Sequence, residues 1–190
     1  NIKLIYTIPT FQNPSGITSS LAVRQGMLRL AQKYNVVILE DNPYGELRFS
    51  GDKIPTIKSM DTTGNVIYLG SFSKILAPGL RLGFTCADKK LMERMVICKQ
   101  VEDVHTNVLS QMIAYRFVTE NSIDDHIAKL RECYGRKCKL MIECIDKYFP
   151  KCVSHTNPEG GLFLFCTMPE GYDAKAVMEK ALESGVAFVP

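Results

Sequence analysis

A lysine, two serines and an arginine lie close together in segment 70–83, and their side chains suit a phosphorylated aldehyde. The Lys74 amine can form a Schiff base with an aldehyde. The Ser71 and Ser73 hydroxyls can donate hydrogen bonds to a phosphate, and the planar Arg81 guanidinium can pair with it through two N–H groups. A single lysine is more often a solvated surface residue, so this hypothesis needs a second, independent segment.

The second segment is an apolar run at 36–39 that is followed by two carboxylates. Such a run is typical of a buried parallel strand, and open α/β sheets bind ligands outside the carboxyl ends of their strands. Asp41 can there lie beside the ring nitrogen of pyridoxal phosphate, which needs an anion because the protonated ring acts as an electron sink. Tyr44 can donate to the ring hydroxyl. The alternative is that Glu40 and Asp41 only cap the strand and Tyr44 packs in the loop.

A third segment, 9–16, follows a predicted strand at 3–8. Its Asn-Pro-Ser-Gly sequence is typical of a plain turn, because proline restricts one dihedral angle and glycine accepts positive ones. The apolar run at 66–69, with β-branched and aromatic members, also predicts a buried strand. Asn13 therefore lies after a strand, as Asp41 and Ser71 do. Three polar loops of this kind predict a ligand site at one edge of the sheet.

Four motifs in this order resemble the class I/II aminotransferases of the fold-type I pyridoxal phosphate enzymes. They are P-x-x-x-N-P-S-G at 9–16, L-E-D-N-P-Y at 39–44, S-F-S-K at 71–74 and G-L-R-L-G at 79–83. The resemblance spans almost the whole chain. It is closest to the branch that holds 2-aminoadipate and kynurenine aminotransferases and the aminotransferase-like domains of certain bacterial regulators.

The resemblance implies a role for each residue of the candidate site. Lys74 resembles the Schiff-base lysine of the family, and Asp41 resembles the partner of the ring nitrogen. Tyr44 and Asn13 resemble the residues that bond the 3-hydroxyl oxygen of the ring. Three residues resemble the phosphate binders of the family: Ser71, Ser73 and Arg81.

The resemblance also implies an architecture. Residues 1–118 would be the C-terminal portion of a three-layer α/β/α, aspartate aminotransferase-like large domain with a mostly parallel sheet. Residues 119–190 would hold a linking helix and an incomplete small α+β domain. The linking helix is predicted to begin at Ser122 and to end before Pro150, and apolar residues at spacings of three and four along it predict a core face.

Local patterns predict the remaining elements. One helix is predicted to run from a cap at Thr18 or Ser19 to Tyr34, with Asn35 as a left-handed stop. Three further helices are predicted to begin at Asp88, Thr106 and Asp173. Four further strands are predicted at 46–49, 80–85, 162–166 and 185–190.

The composition, with 46% hydrophobic and 23% charged residues and a net charge of +3, is that of an ordinary globular protein. Since no long run of like charge is present, neither a nucleic-acid nor a membrane partner is expected. No apolar run approaches the length of about 18 residues that a membrane span needs. Seven scattered cysteines without a C-x-x-C pair predict reduced, mostly buried thiols and a cytoplasmic location. The three histidines lack metal-ligand spacing, so no metal is expected.

The resemblance implies a homodimeric aminotransferase that moves an amino group between an amino acid and a 2-oxo acid through a Schiff base on Lys74. Because the chain starts in one predicted strand and ends in another, we expect a portion of a longer enzyme that is poorly active by itself. Two alternatives use the same residues. One is the aminotransferase-like effector domain of a transcription regulator, and the other is a pyridoxal phosphate-dependent C–S lyase.

Overall fold

The computed structural model describes residues 2–190. Its main sheet has four strands in the order β1-β2-β3-β4, namely Leu4–Thr7, Val37–Asp41, Val66–Ser71 and Gly83–Cys86. The first three strands are parallel, and β4 is antiparallel to β3. A small second sheet pairs two-residue strands, β5 (Ser154–His155) and β6 (Cys166–Thr167). The predicted α/β class with a mostly parallel sheet is confirmed.

The core lies between the sheet and helix α1, Leu21–Tyr34. This helix connects β1 to β2, which the parallel direction of the two strands requires. One buried cluster joins side chains from α1, the sheet and the short helix that begins at Ile57: Leu28, Ala31, Ile38, Ile57 and Val66. Burial of these apolar side chains is the main stabilising contribution to this part of the fold.

The ends of α1 follow the predicted signals with one correction. The Ser20 hydroxyl accepts a hydrogen bond from the Val23 N–H at 3.4 Å, so the predicted caps Thr18 and Ser19 lie too early in the chain. The helix ends at Asn35, which has the predicted left-handed conformation with φ 50°.

Five further helices complete the chain. They are α2 (Ile57–Met60), α3 (Lys89–Glu102), α4 (Val108–Glu120), α5 (Ile123–Tyr148) and α6 (Ala174–Glu183). The predicted caps Asp88, Ser122 and Asp173 accept hydrogen bonds from the first turns of α3, α5 and α6. Helix α4 is capped by Asn107 rather than by the predicted Thr106.

The predicted strand at 80–85 is wrong in its first half. Residues Pro78–Leu80 form one 3-10 turn, and Arg81 closes it in the left-handed conformation with φ 53°. Strand β4 begins only at Gly83, which pairs with Ser71 of β3. The alternation of side chains predicted a strand, but it contains no information about where pairing with β3 starts.

Three other predicted strands are absent or much shorter. Segment 46–49 forms only one antiparallel bridge, between Arg48 and Gly160. Segment 162–166 contributes only the first residue of the short strand β6, and residues 185–190 form no strand. Strands are stabilised by cross-strand pairs, and a local pattern does not identify the partner.

Helix α5 is 26 residues long, about 39 Å at 1.5 Å per residue. Only Ile127 and Ile145 of its apolar stripe are buried, whereas Met141 and Tyr148 are 57% and 69% exposed. The predicted core face is therefore confirmed only in part. Leu130, Tyr134 and Cys138 are partly buried, and the two exposed positions lie toward the C-terminal end of the helix. Within residues 2–190 neither α5 nor any other helix is long and apolar enough to cross a membrane.

The division into two domains near residue 118 stays a prediction.

The seven cysteines are free thiols, and the prediction that most are buried is wrong. Four of them are exposed: Cys86, Cys98, Cys144 and Cys152. The other three, Cys133, Cys138 and Cys166, are partly exposed. Their scattered positions on helices and strands had suggested core packing, but the surfaces that carry them are open in residues 2–190.

Candidate active site

Three of the predicted site residues lie at the carboxyl ends of parallel strands. Asp41 is the last residue of β2, Ser71 is the last residue of β3, and Asn13 is in the loop after β1. Asp41 pairs in register with Leu69, so Ser71 extends beyond it along the neighbouring strand. The parallel directions bring all three loops to the same edge of the sheet, as the sequence predicted.

The Asp41 carboxylate accepts a hydrogen bond from a residue that the sequence did not single out. The Tyr6 hydroxyl donates to Asp41 Oδ2 at 2.6 Å. This bond raises the pKa of Tyr6 from 10.0 to about 12, with smaller contributions from burial and from the charge of Asp41. A tyrosine near the end of β1 was the available signal, but only the pairing of β1 with β2 places it beside Asp41.

Tyr44 is buried and lies near both Asn13 and Asp41. Burial raises the pKa of the Tyr44 hydroxyl above its ordinary value, the Asn13 side chain partly offsets this, and the negative charge of Asp41 adds to the rise. The Phe163 ring contacts the Tyr44 ring edge-on, with centroids 5.3 Å apart. Tyr44 is thus a fixed, protonated hydroxyl that can donate to an anionic oxygen.

The three predicted phosphate binders are also brought together. The Ser71 hydroxyl oxygen accepts a hydrogen bond from the Ser73 N–H at 3.1 Å. Arg81 Nη1 lies 3.5 Å from Ser73 Oγ and donates to the Pro78 carbonyl at 3.1 Å. No hydrogen bond of Arg81 Nε or Nη2 is formed within residues 2–190, so these atoms remain available to an anion.

Lys74 follows this turn and is half-buried. Other lysines form ion pairs, such as Lys58 with Asp61 and Lys99 with Asp103, but Lys74 forms none with the carboxylates of residues 2–190. The Phe72 ring, two residues earlier, lies 5.9 Å from that of Phe84 on β4. This contact anchors the start of the turn to the sheet.

A fully buried arginine holds the loop that carries Asn13. Arg24 Nη2 donates to the Pro9 carbonyl and the Thr10 hydroxyl, both at 2.9 Å. Nε and Nη1 donate to the carbonyls of Ser19 and Pro55, both at 3.0 Å. This role of Arg24 is not among the predictions from the sequence, although Arg24 lies on the same face of α1 as Leu28 and Ala31.

Glu40 supports the site from the opposite side of β2. It is fully buried, and its two carboxylate oxygens accept hydrogen bonds from the backbone N–H groups of Ile57 and Lys58 at 2.8 and 2.7 Å. Burial raises the pKa of Glu40, and the two N–H groups oppose that rise. Glu40 therefore binds α2 to the sheet, whereas its neighbour Asp41 faces the candidate site.

A cavity of about 340 Å³ lies elsewhere, between the sheet and the loop after Tyr44. Its walls include Asn42, Arg48 and Tyr68, and none of the seven predicted site residues lines it. The candidate site is therefore an open edge of the sheet. Within residues 2–190 no group of histidine, cysteine or acidic side chains is arranged to hold a metal.

Comparison with known proteins decides the family. Residues 2–190 match the family model described as aminotransferase class I and II. The chain belongs to this family. Class I/II aminotransferases are generally pyridoxal phosphate-dependent, so the observed edge of the sheet can be compared with what that cofactor needs.

Curated relatives include aminotransferases with different named substrates. The chain is 47% identical over 189 residues to aromatic-amino-acid aminotransferase 1 of Thermococcus litoralis, covering 100% of this chain and 45% of that protein. It is 36% identical over 191 residues to 2-aminoadipate transaminase of Thermus thermophilus, covering 99% of this chain and 48% of that protein. The chain thus spans about half the length of the curated class I/II aminotransferases it matches.

A solved structure shows the same fold. Pyrococcus horikoshii kynurenine aminotransferase, crystallised in complex with PMP, KYN as substrates and KYA as products, superposes with a TM-score of 0.95. It is 45% identical and covers 99% of this chain and 46% of that one. The predicted resemblance to the 2-aminoadipate and kynurenine branch of class I/II aminotransferases is confirmed.

The donor set of the edge fits pyridoxal phosphate. Asp41 Oδ1 receives no hydrogen bond from residues 2–190, so a carboxylate oxygen is available for a protonated ring nitrogen. The protonated Tyr44 hydroxyl suits the ring oxygen, and the free N–H groups of Arg81 suit the phosphate. The Lys74 amine, free of ion pairs, suits the aldehyde.

Proposed function

We propose that the protein is a pyridoxal phosphate-dependent aminotransferase that transfers an amino group between an amino acid and a 2-oxo acid. The observation that carries this proposal is the arrangement at one edge of the sheet. Four groups lie at the ends of neighbouring strands: the Asp41 carboxylate, the protonated Tyr44 hydroxyl, the cluster of serine hydroxyls with the Arg81 guanidinium, and the Lys74 amine. Within residues 2–190, Asp41 Oδ1 accepts no hydrogen bond and Lys74 forms no ion pair. Membership of the class I/II family supports the reaction type.

Bound pyridoxal phosphate would supply an electron sink for negative charge at the substrate Cα. The Asp41 carboxylate would keep the ring nitrogen protonated, since an adjacent negative charge favours the positively charged ring. Lys74 would bind the aldehyde when no substrate is present. The Lys74 amine would also act as the base that takes the proton from the substrate Cα.

The other residues of the candidate site would bind and orient the cofactor. Tyr44 keeps its proton at neutral pH and would donate to the ring oxygen, with Asn13 beside it. Ser71, Ser73 and Arg81 would bind the phosphate, and the left-handed conformation of Arg81 turns its guanidinium back toward Ser73. Holding the cofactor at both ends in this way would keep the reacting carbon near Lys74.

The substrate class is part of the proposal. The relatives named above are aminotransferases of aromatic amino acids, kynurenine and 2-aminoadipate. We therefore expect an aromatic amino acid or 2-aminoadipate as amino donor. A homodimer in the cytoplasm, with residues 1–118 and 119–190 as parts of a large and a small domain, completes the proposal.

Trapping of the lysine tests the proposal directly. The full-length protein is incubated with pyridoxal phosphate, reduced with borohydride and digested, and the adduct is located by peptide mass spectrometry. We expect an adduct confined to the peptide that holds Lys74, and none in Lys74→Ala. The control Lys53→Ala changes a lysine that is 74% exposed and pairs with Glu46 at 3.6 Å, and it should label like the wild type.

Turnover gives the second measurement. Transamination by Lys74→Ala should fall at least about a hundredfold, as expected for loss of a general acid–base group, whereas Lys53→Ala should keep its rate. Adducts scattered over surface lysines, or undiminished turnover by Lys74→Ala, would contradict the assignment of Lys74.

A further inference from the structure

The hydrogen bond between Tyr6 and Asp41 joins two neighbouring parallel strands near the predicted cofactor. Tyr6 pairs in register with Leu39, two residues before Asp41, so the side chains of all three lie on the same face of the sheet. The Tyr6 ring extends toward the carboxyl end of β2, where its hydroxyl lies 2.6 Å from Asp41 Oδ2. The register of the sheet therefore fixes this contact.

The two oxygens of the Asp41 carboxylate have different surroundings. Oδ2 accepts the Tyr6 hydrogen bond, whereas residues 2–190 donate no hydrogen bond to Oδ1. A carboxylate held at one oxygen cannot rotate freely, so the direction of the other oxygen is set as well. Tyr6 thus determines how Asp41 presents its free oxygen.

We propose that Tyr6 is a positioning residue, which holds Asp41 through Oδ2 so that Oδ1 faces the ring nitrogen of pyridoxal phosphate. This inference rests on the proposed function, because it concerns the partner of the same cofactor. It adds a residue that lies outside the four motifs of the sequence. Tyr6 itself acts through Asp41 and takes no part in proton transfer.

The protonation of the pair is consistent with this role. The Asp41 hydrogen bond, burial, and the charges of Asp41 and Tyr44 raise the pKa of Tyr6 to about 12, so its hydroxyl remains the donor at neutral pH. Tyr6 is also 56% exposed, so apolar packing does not by itself fix its position. The hydrogen bond is accordingly an important restraint on the Tyr6 side chain.

A double-mutant cycle on the full-length protein tests the inference. The variants are Tyr6→Phe, Asp41→Asn and the two combined, and the probe is pyridoxal phosphate added to the apoprotein. The matched control is Tyr68→Phe on β3, which removes a hydroxyl that accepts from Asn42 Nδ2 at 2.8 Å and has no contact with Asp41. The measured quantities are the dissociation constant of pyridoxal phosphate and the ¹⁵N chemical shift of its ring nitrogen.

Tyr6→Phe should weaken pyridoxal phosphate binding by about threefold to tenfold, the usual effect of losing one hydrogen bond. It should also move the ¹⁵N chemical shift of the ring nitrogen toward the value of unprotonated pyridoxal phosphate. Both effects should vanish in the Asp41→Asn background, because Tyr6 acts only through that carboxylate. Tyr68→Phe should change neither quantity.

Three results would overturn the inference. The first is a Tyr6→Phe variant whose dissociation constant for pyridoxal phosphate and ring-nitrogen shift are unchanged. The second is an equal loss of pyridoxal phosphate affinity when Tyr6→Phe is added to Asp41→Asn. The third is a loss of affinity in Tyr68→Phe as large as that in Tyr6→Phe. All three are read on a protein that still traps pyridoxal phosphate at Lys74, so they leave the proposed function intact. Absence of trapping at Lys74 in the wild type would instead overturn both.

A second readout does not need the cofactor. In the apoprotein, Asp41→Asn should lower the pKa of Tyr6 from about 12 toward 10.0, measured by NMR of the labelled tyrosine ring across the pH range. The remaining neighbour that affects this titration is Tyr44, which is unchanged in the variant. An unaltered pKa of Tyr6 would show that the hydrogen bond does not exist and would also refute the inference.

Discussion

Replacement of Arg24 by methionine removes the charged group that holds the Asn13 loop. All three guanidinium nitrogens donate, with four hydrogen bonds of 2.9 to 3.0 Å to Pro9, Thr10, Ser19 and Pro55, of which the first two are buried. Arg24 has no exposed surface. Methionine has a similar length, so the apolar contacts of the stem are largely kept and the lost hydrogen bonds dominate the result.

The expected loss can be worked from these contacts. Each hydrogen bond to a charged group contributes about 1.5–3 kcal/mol, but four bonds from one side chain are not independent. In Arg24→Met the Pro9 carbonyl still accepts from the Ser19 N–H at 2.8 Å, whereas the other three acceptors lose the partner that Arg24 provides. A buried polar group that is left without a partner costs about 1–3 kcal/mol, and we expect a loss near the upper end of this range. Against a total stability of about 5–15 kcal/mol, this is a large fraction.

Chemical denaturation of the full-length protein measures this loss. The control is Arg29→Met on the exposed face of α1, which should change the free energy of unfolding by less than about 0.5 kcal/mol. Arg24→Lys should recover only a small part, because one ammonium cannot reach acceptors on three sides. A loss below about 1 kcal/mol for Arg24→Met, or one equal to that of Arg29→Met, would refute the reasoning.

The remaining predictions concern two glycines and a histidine. Gly160→Ala should destabilise the protein by about 1–3 kcal/mol, since a Cβ there would lie 2.2 Å from Phe11 Cζ, and denaturation showing no loss would contradict this packing. Gly26→Ala should instead stabilise α1 by about 0.5–1 kcal/mol, because the nearest atom would be 3.9 Å away; a destabilised variant would contradict this. Hydrogen bonds to the Thr156 carbonyl and to Asp146 raise the pKa of His155 above 6.5. Its contribution to the free energy of unfolding is therefore complete below pH 6.5 and is lost as the pH rises through the pKa of His155 in the folded protein. Denaturation of His155→Gln and wild type at several pH values should show a difference that shrinks as pH rises, and a difference that grows with pH would refute this sign.

Much of the site was predictable because its signals are local. Apolar runs followed by polar loops predicted the parallel strands, and the alignment of strand ends then predicted that Asn13, Asp41 and Ser71 share one edge. Asn35 predicted the end of α1, since asparagine tolerates the left-handed conformation observed there. Each of these conclusions depends on residues that are neighbours in the chain.

The predictions that failed depended on partners far away in the chain. The 80–85 strand was placed too early, because the 3-10 turn at Pro78–Leu80 delays pairing with β3. The apolar stripe of α5 predicted a core face that is confirmed only in part, because whether a stripe is buried depends on what lies opposite it. The same applies to the cysteines, whose predicted burial the structure contradicts.

The amino-acid sequence alone determined the family, the α/β class and the identity of the seven candidate site residues, because short motifs carry both turn geometry and chemical groups. Tertiary structure decided which side chains support them. Tyr6 reaches Asp41 only through the register of β1 against β2, and Arg24 is buried only because loops from both sides of α1 supply its acceptors. Hydrogen bonds between residues distant in the chain depend on the folded positions of both partners, and no local pattern contains those positions.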